Sequence, residues 1–179
     1  MGSSSDSRIM HGAAEILDQF KVKHEDQIIS AQRTPTRLEE YAKHAEKKNF
    51  KVIIAGAGGA AHLPGMIASH TYIPVIGVPI LVYNDKQENK SNRIKFSAFG
   101  GLDSLLSISE MPTGSPVVTV GVNKASNAGI YAAKILANEF SDLKKKLKRY
   151  KSNQHDSVLK ESELLRKQGL SKFVKKKFK

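Results

Sequence analysis

Apolar residues recur along this chain in two ways, at helical spacing and in short unbroken runs, and the switches between them predict alternating helices and strands. Ile9, Ala13, Ile16, Leu17 and Phe20 fall on one face of a helix predicted over residues 7–20. Residues 26–30 read as a strand, and Pro35 opens a second helix that runs to about residue 48. KVIIAG at 51–56 is a short apolar strand of the doubly buried kind. A third helix follows His62-Leu63-Pro64, then PVIGVP at 74–79 supplies another strand. Residues 102–109 read as a helix, with Asp103 or Ser104 near its start. SPVVTVGV at 115–122 reads as a strand, and an Ala-rich helix is expected from residue 125 to about 140. One further helix is expected up to Gly169. This order argues for an α/β fold built on a parallel sheet.

Two stretches depart from the pattern. Residues 83–99, YNDKQENKSNRIKFSAF, are polar without helical periodicity and read as a long mobile surface loop. The chain also opens inside a loop, with no apolar strand ahead of GSSSD.

Charge divides the chain in two. Residues 142–179 hold 14 Lys/Arg against 4 Asp/Glu, a net +10, while the other 141 residues carry only +2. The reading is therefore an α/β domain over 1–141 and a basic helix and tail over 142–179. KKKLKR and KKKFK are basic enough to touch RNA, DNA or acidic lipid. A solvated helix face and a frayed end account for them more simply, and no aromatic-interleaved sheet motif or zinc spacing supports nucleic-acid readout. Neither a nucleic acid nor a membrane is an expected partner. The 179 residues suit one domain with a sizeable core. Mean hydropathy of −0.36, no apolar run of about 18 residues and no leader pattern point to a cytoplasmic protein. With no cysteine, disulfides and thiolate metal sites are excluded, and no His pair has metal-ligand spacing.

Three loops carry candidate chemistry. GSSSD places Ser3, Ser5 and Asp6 at a predicted helix start, where free N–H groups and the dipole favour an anion. Serine hydroxyls donate to phosphate and an Asp suits vicinal ribose hydroxyls, although N-capping by Ser5 or Asp6 explains the loop equally well. In SAQRTP at 30–35, Arg33 offers a planar fork that matches phosphate oxygens. The plainer alternative pairs Arg33 with Glu39 or Glu40. AGAGGAAHLPG at 55–65 lets backbone approach a ligand closely around Gly58 and sets His62 at a strand's carboxyl end. The same stretch fits a dinucleotide fingerprint, but His62 and Pro64 interrupt its helix and no acidic residue ends the next strand. His11, His24, His44, His70 and His155 default to structural roles. In a doubly wound sheet the three loops converge on one edge, an arrangement suited to a phosphorylated ribose.

GSSSD, SA-x-RTP, IAGAGGAAHLPGM, PVIGVP, GLDSLLSI-x-x-MP-x-G-x-PV and NA-x-x-x-A-x-x-IL follow one another in this order. In this the chain resembles the class I phosphoribosylaminoimidazole carboxylase family, the N5-carboxyaminoimidazole ribonucleotide mutases of purine biosynthesis. The likeness covers about residues 1–140. It implies a flavodoxin-like three-layer α/β/α fold, a homo-octamer with sites shared between neighbouring subunits, and a reaction without cofactor or metal. That reaction moves a carboxylate from N5 to C4 of an imidazole ribonucleotide, with carbon dioxide released into a closed pocket. By the family pattern Ser3, Ser5 and Asp6 bind the ribonucleotide, Ser30 and Arg33 hold its phosphate side, and Gly58 and His62 line the pocket.

The chain departs from that pattern in three places. The strand that normally leads into GSSSD is missing, and residues 83–99 replace a much shorter connection. The third departure is Gln32, which stands where the family has its proton-shuttling His; an amide cannot carry a proton near neutral pH. Two classes of function follow. One is a mutase with impaired activity. The other is a non-catalytic ribonucleotide-binding oligomer, with a carboxylase domain of a longer bifunctional protein as a further alternative.

Overall fold

A strand covered on both faces has to be apolar on both, and the six residues Val75–Ile80 are all buried. In the computed structural model, which describes residues 1–82 and 99–177, this strand is the middle of a three-stranded parallel sheet. Its neighbours are β1 (Ile53–Gly58) and β3 (Val118–Thr119), with Val75–Ile80 as β2. Ile53 pairs with Val75 and Gly58 with Ile80, so β1 and β2 end at the same height. The third strand is shorter than its sequence suggests. Only Ile76–Val118 and Gly77–Thr119 are in register, and beyond them Asn123 takes over, its side-chain oxygen accepting from the Leu81 N–H at 3.0 Å.

Helices cover both faces. On one side lie α2 (Pro35–Lys47), α3 (His62–Ala68) and α4 (Leu102–Ser109), around Leu38, Ala55, Leu63, Ile67, Val75 and Ile108. On the other are α1 (Ser7–Gln19) and α5 (Ala125–Leu136), around Met10, Leu17, Ile76, Val78, Ile80 and Ala128. Strand alternation assigns the residues to these layers, since neighbouring positions face opposite ways. Each fully buried Leu or Ile contributes about 1.5–3 kcal/mol; Leu38, Ile76 and Ile108 are of this kind. The three layers are those of the expected flavodoxin-like sandwich.

Residues 26–30 do not form the expected regular strand, although they hydrogen-bond beside the sheet. The Ile29 N–H donates to the Met1 carbonyl at 2.8 Å, and the Met1 amino group donates to the Gln27 carbonyl at 2.9 Å. On the other side, the Gly2 N–H donates to the Gly56 carbonyl at 3.2 Å. Met1 and Gly2 thus bridge 27–29 to β1 through these bonds. Those two residues carry the sheet position from which GSSSD departs.

Pro64 does not interrupt α3, because the first N–H groups of a helix have no partner within it and a proline among them removes nothing. The Ala-rich helix ends at Leu136, short of the expected 140. Residues 83–98, the body of the expected loop, lie outside the described residues.

Contacts divide the described chain into two units, Met1–Leu136 and Ala137–Lys179. Within the second, α6 (Ser141–Gln168) is the expected long basic helix. It stops at Gly169, whose φ of 75° lies in the left-handed region. A further helix, α7 (Leu170–Lys177), follows where a frayed end was expected. Lys177 Nζ lies 2.8 Å from Glu161 Oε1 and 5.6 Å from the Phe173 ring centroid, so α7 folds back along α6. No described helix is long and apolar enough to cross a membrane.

Candidate active site

Three chain segments turn at the carboxyl ends of neighbouring positions in the sheet: Gly2 into GSSSD, Ile29 into SAQRTP, and Gly58 into the loop before His62. The first winds into a short 3₁₀ turn, Ser4–Asp6, closed by a capping box between Ser3 and Asp6. Ser3 N–H donates to Asp6 Oδ2 at 2.9 Å, and the Ser5 hydroxyl donates to Ser3 Oγ at 3.0 Å. Ser3 caps this short turn, while Asp6 stands at the N-cap position of α1 as expected but gives that helix no side-chain cap bond. Asp6 is only 6% exposed. Burial pushes its carboxyl above the ordinary 3.8, against the N–H groups of Ser3 and Gly2, the amino terminus and Arg33, all of which favour the anion. An acceptor held this way suits ribose hydroxyls.

The second loop is closed on itself. The Ser30 N–H donates to Thr34 Oγ1 at 3.0 Å, and the Thr34 hydroxyl returns to the Ser30 carbonyl at 2.9 Å. Buried Ser30 accepts from both the backbone N–H of Arg33 at 3.1 Å and its Nε at 3.2 Å. Arg33 Nη2 reaches the Gly2 carbonyl at 3.1 Å. Arg33 does not take up the surface pairing with Glu39, which bonds Lys43 at 2.6 Å. The exposed guanidinium is thereby held with one edge against the first loop, and its other N–H groups remain suited to a phosphate.

The third loop needs two unusual backbone positions. A Cβ at Gly58 would sit 2.8 Å from the Ile80 carbonyl oxygen and 2.5 Å from Val82 Cγ2, so a side chain there forces the β2 end away. Ala61 holds φ 45°, a left-handed conformation that costs a non-glycine residue about 1–2 kcal/mol. α3 starts from that strained residue, with His62 as its first member. Gln32 Nε2 lies 2.6 Å from His62 Nδ1. With the amide N–H donating, Nδ1 is the acceptor and the ring proton sits on Nε2.

The sequence placed all of Ser3, Ser5, Asp6, Ser30, Gln32, Arg33, Gly58 and His62 on loops at one sheet edge. The structure brings the second loop into contact with the other two, through Arg33 to Gly2 and Gln32 to His62. Gly58 is packed between strand ends. Two contacts escaped the sequence reading: Ser104, fully buried, donates to the Gly101 carbonyl, and Ser107 donates to the Ala60 carbonyl. Both lie in GLDSLLSI, where a hydroxyl among apolar helix positions was the available signal. Four other histidines make local contacts: His11 with Glu15, His24 with Asp18 and Asp26, His44 with the Glu40 carbonyl, His155 with Asp156. Among the described residues no group of three or more His, Cys, Asp or Glu is placed to hold a metal ion.

Fold and site together define an α/β protein that gathers hydroxyls, a carboxylate, a guanidinium and an imidazole at one edge, beside the carboxyl ends of its strands. The chain belongs to the AIR carboxylase family, whose model matches residues 1–157. It is 48% identical over 177 residues to N5-carboxyaminoimidazole ribonucleotide mutase of Thermotoga maritima, covering 99% of this chain and 95% of that protein. The mutase of Bacillus subtilis is 46% identical, over 92% and 94% of the two chains. The chloroplastic phosphoribosylaminoimidazole carboxylase of Vigna aconitifolia is 45% identical over 98% of this chain but only 29% of its own length. Among solved structures, Treponema denticola PurE superposes with a TM-score of 0.76 at 23% identity, covering 92% and 94%. The family resemblance and the flavodoxin-like fold expected from the motifs are thus borne out, and the matching region extends beyond residue 140 into the basic helix.

Proposed function

We propose that the chain is an N5-carboxyaminoimidazole ribonucleotide mutase of purine biosynthesis. The observation that carries this reading is the contact of the SAQRTP loop with both neighbouring loops, which assembles a guanidinium, a ring of hydroxyls, a carboxylate and an imidazole at one edge. It is supported by family membership and by a relative of that name that is 48% identical over nearly the whole chain. Ser3, Ser5 and Asp6 hold the ribose end, Ser30 and Arg33 the phosphate side, and Gly58 and His62 border the base.

The reaction balances without an external redox or group carrier. The N5–carboxylate bond breaks, N5 gains a proton, and carbon dioxide is released. Ring carbon C4 then forms the new C–C bond and loses its proton. The net proton change is zero, so one side chain that takes the C4 proton and returns one to N5 closes the cycle. His62 is the titratable group at this edge able to do so. Gln32 occupies the family's proton-carrying position and can only donate or accept hydrogen bonds, which lowers turnover by about 10²–10⁴. Carbon dioxide escapes an open site, so retention until C4 attacks requires a closed one.

A homo-octamer accompanies this reading. Leu102 and Leu106, one turn apart on α4, are 50% and 49% exposed, a face suited to a second copy of the chain. Gln32 itself favours one other reading, a binding protein that keeps the ribonucleotide site and has lost turnover. Purified chain is titrated with the imidazole ribonucleotide and assayed for conversion of the N5-carboxylated form, with mass measured in solution. Saturable binding with slow conversion supports the mutase; absence of binding contradicts both readings.

A further inference from the structure

Ser107 lies outside the ribonucleotide edge, on α4, and its hydroxyl donates to the carbonyl of Ala60. That peptide sits at the most constrained point of the third loop. Ala61 follows with φ 45°, and α3 begins at His62 without any side-chain cap on Ala61. Nothing in the intrinsic preference of Ala60-Ala61 keeps this geometry. The loop's own turn bond, Ala61 N–H to the Gly58 carbonyl, is long at 3.2 Å. A hydroxyl from a separate element therefore supplies part of the restraint.

Ser107 is in turn held at a fixed height. Its neighbour Ile108 is fully buried, and a Cβ placed on Gly77 would collide with the Ile108 side chain, so α4 is seated directly on the middle strand. One turn earlier, fully buried Ser104 packs with its hydroxyl oxygen 3.3 Å from the Ile80 carbonyl oxygen, at the end of that strand, while its proton is shared with the nearer Gly101 carbonyl at 2.9 Å. α4 thus reads the position of β2 and passes it, through Ser107, to the loop that starts α3.

We infer that Ser107 is a positioning residue for His62: its hydrogen bond to the Ala60 carbonyl fixes the left-handed turn at Ala61 and so aims the His62 ring at Gln32. This rests on the mutase reading for its bearing on the rate, but not for its geometry. Without the bond the 60–61 peptide is held only by the Ala61 N–H bond to the Gly58 carbonyl, α3 starts from a looser turn, and the 2.6 Å contact between Gln32 Nε2 and His62 Nδ1 is made only part of the time. A displacement of about 1 Å at a reacting group is enough to cost 10²-fold in rate.

The test compares Ser107→Ala with Ser107→Thr, which keeps the hydroxyl, in the full chain labelled with ¹⁵N histidine. In the unsubstituted chain the expected signature in the His62 ring-nitrogen shifts is that of Nδ1 accepting the Gln32 amide N–H, with the ring proton on Nε2. Ser107→Ala moves those shifts toward the average of the two tautomers, and Ser107→Thr retains the original signature. In a Gln32→His background with measurable turnover, Ser107→Ala lowers kcat about 10- to 100-fold with KM little changed, and Thr restores it. An unchanged His62 signature in Ser107→Ala overturns the inference. If Gln32→His shows no turnover, the mutase reading fails on its own, while the ring signature still decides the role of Ser107.

Discussion

Gln32 Nε2 sits 2.6 Å from His62 Nδ1, and this contact joins two loops that lie 30 residues apart in the chain. It leaves one ring nitrogen, Nε2, for a ligand. It also makes His62 the only partner in the pair that can gain or lose a proton near neutral pH. His62→Asn keeps a polar group but removes the proton carrier. Turnover in the unsubstituted chain should fall below detection, whereas the dissociation constant for the ribonucleotide should change by less than about tenfold, since an amide still hydrogen-bonds. Loss of binding together with turnover would instead make His62 a binding group.

Arg33 depends on Ser30 for its aim. Ser30→Ala leaves Arg33 N–H and Nε without their shared acceptor and frees the guanidinium to swing from Gly2. Hydrogen bonds to charged groups are worth about 1.5–3 kcal/mol, so ribonucleotide affinity should drop about 10- to 150-fold. Arg33→Lys keeps the charge but not the fork and should lose at least tenfold. Calorimetric titration measures both. If Lys binds as tightly as Arg, a planar guanidinium is not what recognises the phosphate.

Burial raises the Asp6 pKa above 3.8 in the folded chain, which fixes the sign of its effect on stability. The folded state holds the proton more tightly than the unfolded one. The contribution is fully present below 3.8 and is lost as pH rises through the folded value. Asp6→Asn removes this dependence, so relative to the parent it gains stability as pH rises through that window. Binding should move the other way, with the ribonucleotide held more weakly. Urea denaturation at a series of pH values, compared with titration at pH 7, checks the two signs. Glu46 behaves oppositely: the Tyr72 N–H and Thr71 hydroxyl lower its pKa, so its contribution disappears as pH falls.

Gly58→Ala introduces a Cβ against the Ile80 carbonyl oxygen at 2.8 Å, a backbone atom that cannot rotate away. Overpacking of this kind costs about 1–3 kcal/mol and pushes apart the β1 and β2 ends that frame the site. Thermal unfolding should register the loss, and ribonucleotide affinity should fall with it. A variant of unchanged stability would mean that the loop gives way more easily than its packing indicates.

Much of this site was legible because its chemistry is local in sequence. GSSSD, SAQRTP and AGAGGAAHLPG each carry their functional groups within a few residues, and helix–strand alternation alone sends them to one edge. The apolar run KVIIAG announced a doubly buried strand in the same way, and PVIGVP a second strand. What stayed hidden depends on distant partners. Residues 27–29 are strand-like in composition, and their partners, Met1 and through Gly2 the strand β1, lie far away in the chain. The β3 pattern spans eight residues, but only two are in strand register, and Asn123, with φ 58°, turns the chain away while bonding Pro79 through its N–H and Leu81 through its side chain. Ser107 reads as an ordinary helix hydroxyl until α4 is seen packed beside Ala60. The second helix of the tail was masked by its lysines, although Leu170, Phe173 and Val174 carry helical spacing.

The central claim is that this is a mutase whose proton-carrying position is filled by Gln32. The most direct measurement is the rate at which the N5-carboxylated ribonucleotide is converted by the chain and by its Gln32→His variant, with ribonucleotide binding followed in parallel. The account predicts similar binding in both and a rate at least about 10² higher in the variant, the lower end of what a positioned acid–base group supplies. Tight binding with no conversion by either chain would contradict it and leave a ribonucleotide-binding protein in its place.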